Sequence, residues 1–272
     1  MILLLLIAVA VWILWADNAL TVTEYAVKSE RIPESFDDFR IAQVSDLHND
    51  SYGENNCKLL DLLRETRPDI IVITGDLVDS RRTDTAVALD FARQALEVAP
   101  VYYVPGNHES RLAEYEDFKQ DLMVFGITVL NNRKVFLTRD DQSITLMGVN
   151  DPHFWNNWQQ EYEGAVIYDA ITHIQDPSDG YTVLLSHRPD LMDVYTRCGV
   201  DLVFSGHAHG GQFRIPFVGG MFAPDQGFFP QYDAGQFSVG NTVLVVSRGL
   251  GASVIPLRIN NRPEIVVVTL NH

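Results

Sequence analysis

Residues able to bind metal ions recur in short clusters between positions 46 and 209. The clusters combine carboxylate, carboxamide and imidazole side chains, most of them beside glycines, and they read Asp46-Leu47-His48, Gly75-Asp76-Leu77-Val78-Asp79, Gly106-Asn107-His108-Glu109, Ser186-His187 and Gly206-His207-Ala208-His209. Each cluster alone is weak evidence, because turns also favour Asp, Asn and Gly. Their conjunction gives seven candidate ligands, which are Asp46, His48, Asp76, Asn107, His187, His207 and His209.

The spacing and the chemistry of these residues predict two divalent ions. Asp46 and His48 lie two positions apart, so in an extended segment they point to the same side, and His207 and His209 repeat that spacing. A mixture of carboxylate, amide and imidazole suits Mn, Fe or Zn better than Ca. Seven ligands are too many for one tetrahedral ion and suit two ions that share a carboxylate, either Asp46 or Asp76.

The charge of the chain agrees with hydrolysis of a phosphoester at such a pair of ions. The formal net charge is −16 and no basic run is present, so nucleic acid is a disfavoured partner. An acidic protein that binds an anionic substrate needs a local source of positive charge, and bound metal ions supply it. Two ions roughly 3.5–4 Å apart can clamp a displacement at phosphorus and lower the pKa of a water molecule.

Predicted strands lie directly before most of the clusters. Short apolar, β-branched runs predict strands at residues 40–44, 70–74, 101–104, 144–149, 182–185, 202–204, 242–246 and 265–270. Helical patterns at residues 57–65 and 85–98 precede Pro68 and Pro100. This alternation predicts an α/β fold, and the strand-rich second half favours a mixed sheet or two packed sheets. The ends of such strands are where sites assemble.

In its motifs the chain resembles the calcineurin-like metallophosphoesterases, with the complete signature in order from 46 to 209. The resemblance implies a four-layer αββα sandwich with a dinuclear centre at its rim. It also implies the ligand sets. One ion would be bound by Asp46, His48, Asp76 and His209, and the other by Asp76, Asn107, His187 and His207, with Asp76 bridging. His108 would stabilise the transition state or protonate the leaving oxygen.

Within that superfamily the chain is most similar to an anchored bacterial group that includes phosphodiesterase-like proteins and a UDP-2,3-diacylglucosamine diphosphatase. The signs are an apolar N-terminus, residues 206–212 with their double glycine, and residues 247–251. They imply cleavage of phosphodiester or pyrophosphate bonds, including those of a lipid-linked nucleotide. A phosphomonoesterase is the nearest alternative. A non-catalytic metal-dependent binding protein is the other, although such a protein should have lost a ligand or His108.

An uncharged N-terminal run predicts a membrane anchor. Residues 2–16 carry no charge and include Trp12 and Trp15, which are typical of the headgroup region. The run is slightly shorter than the roughly 17–25 residues of a comfortable span, so a signal-peptide core or a buried helix is the alternative. No basic segment precedes it and no A-x-A site follows it, which disfavours cleavage. We expect an anchor at residues 1–17, a catalytic domain at residues 18–272 and a location at the cell membrane, with the side left open.

Other residues carry weaker signals. Asp79 is interpreted as a residue that orients ligands. Asn150 and Asp151 follow a strand and either line the cleft or form an ordinary turn. His153, outside the clusters, is interpreted as structural, and Cys57 and Cys198 as buried thiols.

Residues 213–229 form an unusual loop sequence. This stretch holds five phenylalanines and a methionine among glycines and prolines, a composition that is uncommon in a solvated loop. Two interpretations are open: the stretch contacts lipid, either as acyl chains or as a membrane surface, or it packs as core.

Overall fold

The computed structural model describes residues 19–155, 159–252 and 257–272, and the predicted anchor at residues 1–17 lies outside them. Within these described residues, no helix is both long and apolar enough to cross a membrane. The strands are β1 Thr21–Lys28, β2 Phe39–Val44, β3 Ile70–Thr74, β4 Val101–Val104, β5 Thr128–Val129, β6 Arg133–Arg139, β7 Gln142–Gly148, β8 Thr182–Leu185, β9 Leu202–Ser205, β10 Arg214–Ile215, β11 Gly219–Gly220, β12 Phe222–Ala223, β13 Gly227–Phe228, β14 Gly235–Val239, β15 Thr242–Val246 and β16 Glu264–Asn271. The α-helices are α1 Cys57–Glu65, α2 Thr85–Ala95, α3 Tyr115–Phe125, α4 Glu163–Ile174 and α5 Met192–Arg197.

Two six-stranded sheets form the centre of the fold. The first has the order β1-β16-β2-β3-β4-β5, in which β2 to β5 run parallel and β16 runs antiparallel to β2. The second has the order β14-β15-β9-β8-β7-β6, with β7, β8, β9 and β15 parallel and an antiparallel strand at each edge. Both are mixed sheets, as the strand-rich second half of the sequence predicts.

Three apolar layers hold the sheets and helices together. Side chains such as Ile41, Val72 and Phe204 fill the space between the two sheets. Helices α1, α2 and α3 cover the outer face of the first sheet, and α4 and α5 cover that of the second, through residues such as Phe91 and Ile167. The strands of the centre are apolar on both faces because both faces are covered. The layer order is therefore helix, sheet, sheet, helix.

Two details differ from the sequence-based expectations. Helix α2 ends at Ala95, before the predicted end at 98, because Glu97 and Val98 turn back to donate to the carbonyls of Gln94 and Ala95. Cys57 is exposed, so its prediction as a buried thiol is wrong: it begins α1, whose core-facing side is made by leucines farther along.

Candidate metal centre

The loops that follow five strands meet at one rim of the sandwich. Within the first sheet, the Asp46 N–H donates to the carbonyl of Gly75 across the ends of β2 and β3, at 3.0 Å. Across the two sheets, the backbone N–H of His207 donates to Asp46 Oδ1 at 3.1 Å. The Gln43 side chain, buried between the sheets, donates to the carbonyl of Ser205 at 2.8 Å. The predicted convergence of strand ends is therefore present, and it brings side chains from both sheets together.

Asp46, His48 and His209 form the first group of buried ligand atoms. The Nε2 atoms of His48 and His209 face each other at 3.2 Å. Asp46 Oδ1 lies 3.4 Å from His209 Nε2 and 4.0 Å from His48 Nε2. Three donors of mixed type thus surround one small space.

Asp76, His187 and His207 form the second group. Here His187 Nε2 lies 3.2 Å from His207 Nδ1 and 3.3 Å from Asp76 Oδ2. The same Asp76 oxygen lies 3.6 Å from His48 Nε2 in the first group. One carboxylate oxygen is therefore adjacent to both groups.

The donor atoms fit bound metal ions. Two ligand nitrogens that each lie about 2.1 Å from a common ion are separated by roughly 3–3.5 Å, the separation seen in both histidine pairs. Asn107 Oδ1 is buried at the same rim and has no hydrogen-bond partner among the described residues. A buried polar atom without a partner is costly, and a cation would satisfy it.

Burial keeps three of the imidazoles in the form that binds a metal. It lowers the pKa of His48 to about 3 and that of His207 to about 4, and it holds the pKa of His209 well below its usual value. A neutral imidazole offers a lone pair to an ion, whereas a protonated one repels it.

Two further ligand candidates, Asp76 and His187, form a charged pair. Burial alone would raise the pKa of Asp76, but the charge and hydrogen bond of His187 hold it well below its usual range. Burial alone would lower the pKa of His187, but Asp76 raises it to about 10. Burial raises the pKa of Asp46 to about 6. Binding of a cation would displace the His187 proton, because metal ligation requires the neutral ring.

The His108 ring lies beside the first group, and the loop after β3 orients it through contacts with Nδ1. Its Nδ1 accepts a hydrogen bond from the Ser80 backbone N–H at 3.1 Å and lies 3.4 Å from Asp79 Oδ1. Because Nδ1 accepts, the proton of the neutral ring lies on Nε2. The ring centroid lies 4.6 Å from that of His48.

Asp79 completes a third group with His48 and His108, yet its oxygens are already engaged. Arg81 donates to both of them, at 3.0 and 2.9 Å. Burial opposes ionisation, but Arg81 holds the pKa of Asp79 below its usual range. These contacts suit a residue that orients His108.

Glu109 joins the loops after β3 and β4, a role that the motif analysis did not assign. Its Oε2 accepts from the backbone N–H groups of Asp76 and Gly106, at 2.9 and 2.8 Å. Its Oε1 accepts from Val78 N–H at 3.2 Å. Burial and the neighbouring Asp76 raise the pKa of Glu109 to about 8. Its position at the end of the third cluster was the available signal.

A buried arginine supports His207 from the other side. Arg188 has no solvent exposure, and its Nε donates to Asp151 Oδ2 at 2.7 Å. It also contacts Asp225, whose Oδ2 lies 2.8 Å from His207 Nε2. Asp151 therefore belongs to a charged network behind the centre and is more than an ordinary turn residue. His153 is part of the same network, with Nδ1 2.7 Å from Arg188 Nη2.

Residues 213–229, hereafter the aromatic loop, form two small hairpins, β10–β11 and β12–β13. The interpretation of this loop as core is wrong for most of its aromatic side chains. Phe217 is fully exposed, and Phe222, Phe228 and Phe229 are exposed by 48%, 74% and 62%.

Comparison with known proteins places this geometry in context. The family model for calcineurin-like phosphoesterases matches residues 39–211. The chain is 33% identical over 253 residues to the uncharacterized metallophosphoesterase YkuE of Bacillus subtilis (strain 168), a match that covers 91% of this chain and 84% of YkuE. It is 29% identical over 238 residues to the phosphodiesterase YaeI of Escherichia coli (strain K12), covering 85% of this chain and 82% of YaeI.

A solved structure shares the fold. The crystal structure of TT1561 of Thermus thermophilus superposes with a TM-score of 0.54 and 16% sequence identity, and the match covers 78% of this chain and 90% of TT1561. At this level of identity the likeness concerns the fold alone.

Proposed function

Because the chain belongs to the calcineurin-like phosphoesterase family, and is a metal-dependent phosphoric ester hydrolase, we propose that it cleaves phosphodiester or pyrophosphate bonds with two divalent ions, Mn, Fe or Zn. The observation that carries the proposal is the position of Asp76 Oδ2, which lies within 3.6 Å of an imidazole nitrogen in each of the two groups. A carboxylate oxygen in this position can bridge the two ions of one centre.

In this proposal the ligands divide between two ions as the family resemblance implies. Asp46, His48, Asp76 and His209 hold one ion, and Asp76, Asn107, His187 and His207 hold the other. The orphaned carboxamide oxygen of Asn107 supports its place in the second set. When bound, the ions supply positive charge for the phosphoryl oxygens and a water of lowered pKa.

His108 is the proposed proton donor to the leaving oxygen. In the protonated ring Nε2 carries the transferable proton, and Asp79 Oδ1, 3.4 Å from Nδ1, can accept the other N–H. Burial lowers the pKa of His108, so the protonated ring gives up its proton readily, as expected of a general acid.

The proposed substrate is a phosphodiester or pyrophosphate presented at a membrane, such as a lipid-linked nucleotide of the UDP-2,3-diacylglucosamine kind. The uncharged residues 2–16 support an anchor at residues 1–17 ahead of the catalytic residues 18–272, and hence a location at the cell membrane. The name of YaeI supports a diester over a monoester substrate. The oriented His108 speaks against a purely metal-binding role.

A single assay tests the reaction. The full chain, purified in detergent and stripped of metal, is given Mn, Zn, Fe or Mg, and hydrolysis of a chromogenic phosphodiester and the matching monoester is measured. We expect metal-dependent cleavage that prefers the diester and is lost in Asp76→Asn. Asp169→Asn, an exposed carboxylate on α4, is the matched control and should retain full activity. Preference for the monoester would favour the phosphomonoesterase alternative, and tight metal binding without turnover would favour the binding protein.

A further inference from the structure

The outer surface of the aromatic loop is apolar and exposed. Phe217 at the tip of the first hairpin is fully exposed, and the neighbouring Val218 is exposed by 61%. In the second hairpin, Phe228 is exposed by 74% and its ring packs edge-on against Phe222 at 5.4 Å. Exposed aromatic side chains grouped in one loop mark an interaction surface.

The charged groups of both charged residues in the aromatic loop are held in ion pairs. Arg214 donates to the carboxylate of Asp233 and to the Gly210 carbonyl, each at 2.8 Å. Asp225 contacts Arg188 and His207. Neither charge of the loop is left unpaired, and this suits hydrocarbon rather than a charged peptide or nucleic acid.

Backbone contacts hold the aromatic loop in this outward position. Met221 N–H donates to the carbonyls of Phe213 and Gly211, at 2.8 and 3.1 Å. Gly211 and Gly220 pack so closely that a Cβ on Gly211 would lie 2.3 Å from Gly220 Cα. The phenylalanines are therefore presented by an ordered scaffold that does not depend on their burial.

The start of the described chain lies along the same edge of the molecule. Phe213 forms a bridge with Ile259, and Asn260 lies beside Arg214. Two residues farther along the chain, Arg262 donates to the carbonyls of Ala19 and Leu20, at 2.9 and 3.0 Å. In the sequence, the uncharged residues 2–16 end three positions before Ala19. Ala19, the first described residue after that run, therefore lies near the aromatic loop.

The same loop is joined directly to the candidate metal centre. Asp225, in the turn of the second hairpin, reaches His207 Nε2, and Arg214 reaches the residue that follows His209. A surface bound by the phenylalanines would consequently lie next to the rim where both ligand groups meet.

We infer that the outer face of the aromatic loop docks on a lipid bilayer and holds the metal centre at the membrane surface. Aromatic side chains insert at the headgroup level, where a ring can leave water without a charged partner. The role in catalysis rests on the proposed membrane-presented substrate, whereas the docking itself can be measured without turnover.

Docking is tested by fluorescence on the full chain reconstituted in phosphatidylcholine vesicles. Cys57→Ser and Cys198→Ser remove the native thiols, and Phe217→Cys carries an environment-sensitive label. Val124→Cys is the control site, because Val124 is exposed by 70% on α3, at the β5 end of the first sheet. We expect lipids with nitroxide-labelled acyl chains to quench the label at 217 several-fold more strongly than the label at 124.

Two results would overturn the inference. Equal quenching at both sites would show that the loop does not face lipid. A dimer on size-exclusion chromatography that Phe217→Ser converts to a monomer would show that a second copy covers the loop. Addition of anionic phosphatidylglycerol should not strengthen quenching, because both charges of the aromatic loop are paired and the chain carries a net charge of −16.

Turnover separates this inference from the proposed function. In Phe217→Ser/Phe228→Ser we expect hydrolysis of a phosphodiester embedded in vesicles to fall about tenfold, since each lost ring removes apolar contact with lipid. Hydrolysis of a water-soluble diester should be unchanged. Asp76→Asn tests the reaction itself and should lose both activities. An unaltered rate on the embedded phosphodiester in Phe217→Ser/Phe228→Ser would contradict docking and leave the metal chemistry standing.

Discussion

At the scale of single residues, the Asp225 carboxylate has the most specific consequence. By accepting from His207 Nε2 it keeps the lone pair on Nδ1, the nitrogen that faces His187. We expect Asp225→Asn to weaken binding of one ion about 10–100-fold and leave the other unchanged, as is usual when a residue behind a ligand is altered. Calorimetric titration of metal into the stripped chain measures both affinities. Asp169→Asn is the control, and two unaltered affinities in Asp225→Asn would contradict the assignment.

Asp190, in the short turn before α5, makes a pH-dependent contribution to stability. Burial raises its pKa to about 6, so the folded chain binds this proton more tightly than the unfolded chain does. The carboxylate therefore destabilises the fold progressively as pH rises from about 4 to about 6, and the loss persists above that range. We expect Asp190→Asn to raise the thermal unfolding midpoint by a few degrees at pH 7.5 and by less at pH 5.

The exposed Asp193 on α5 provides the comparison for that measurement, because burial does not destabilise its carboxylate. A gain from Asp190→Asn that is larger at pH 5 than at pH 7.5 would reverse the sign of the argument.

At the scale of elements, the loop after β4 passes so close to the end of β3 that position 106 has no room for a side chain. A Cβ on Gly106 would lie 2.3 Å from Asp76 Oδ1 and 2.8 Å from the Asp76 nitrogen. We expect Gly106→Ala to keep the far-UV circular dichroism of the fold and to lower the initial rate about 100-fold or more, since misplacing a reacting group by about 1 Å has that effect. In the control Gly164→Ala in α4, the added Cβ would lie 3.4 Å from its nearest atom, and the initial rate should be unchanged.

The strand-end clusters were predictable because their information is local. A buried strand, a tight turn and a ligand follow one another within a few residues, as in Ile70–Thr74 followed by Gly75 and Asp76. Arg188 lay beside His187 in the sequence, yet its partners come from distant loops. No pattern in the sequence marked Asp225 as part of the site, because only the packing of the second hairpin brings it to His207.

The sequence did not decide whether the aromatic loop is buried or exposed, and the reason is different. An apolar composition normally predicts burial, and only the hairpin backbone decides that these side chains face outward. The order of strands was also beyond local patterns: nothing in the sequence of β16 shows that it lies between β1 and β2.

At the scale of the whole molecule, the position of β16 between β1 and β2 makes this strand necessary for the candidate metal centre, although it contributes no ligand. Ile265, Val266, Val267, Val268 and Leu270 are fully buried, and each such side chain contributes about 1.5–3 kcal/mol. Their sum is comparable with the total stability of a domain, about 5–15 kcal/mol. We expect a chain that stops before Glu264 to be recovered as insoluble protein, or to bind no metal. Removal of His272 alone is the control, and metal binding at normal stoichiometry in the shorter chain would contradict this account.

The pairing of β16 between β1 and β2 also determines at which stage of protein synthesis the metal centre can form. Every candidate ligand, the last being His209, is translated before Glu264. While the C-terminal strand is still inside the ribosome, β1 and β2 lack the neighbour that both of them pair with. The nascent chain therefore carries all of its metal-binding side chains but no assembled rim. We therefore expect the rim, and with it hydrolysis, to form only after Glu264–Asn271 has been translated and can pair between β1 and β2.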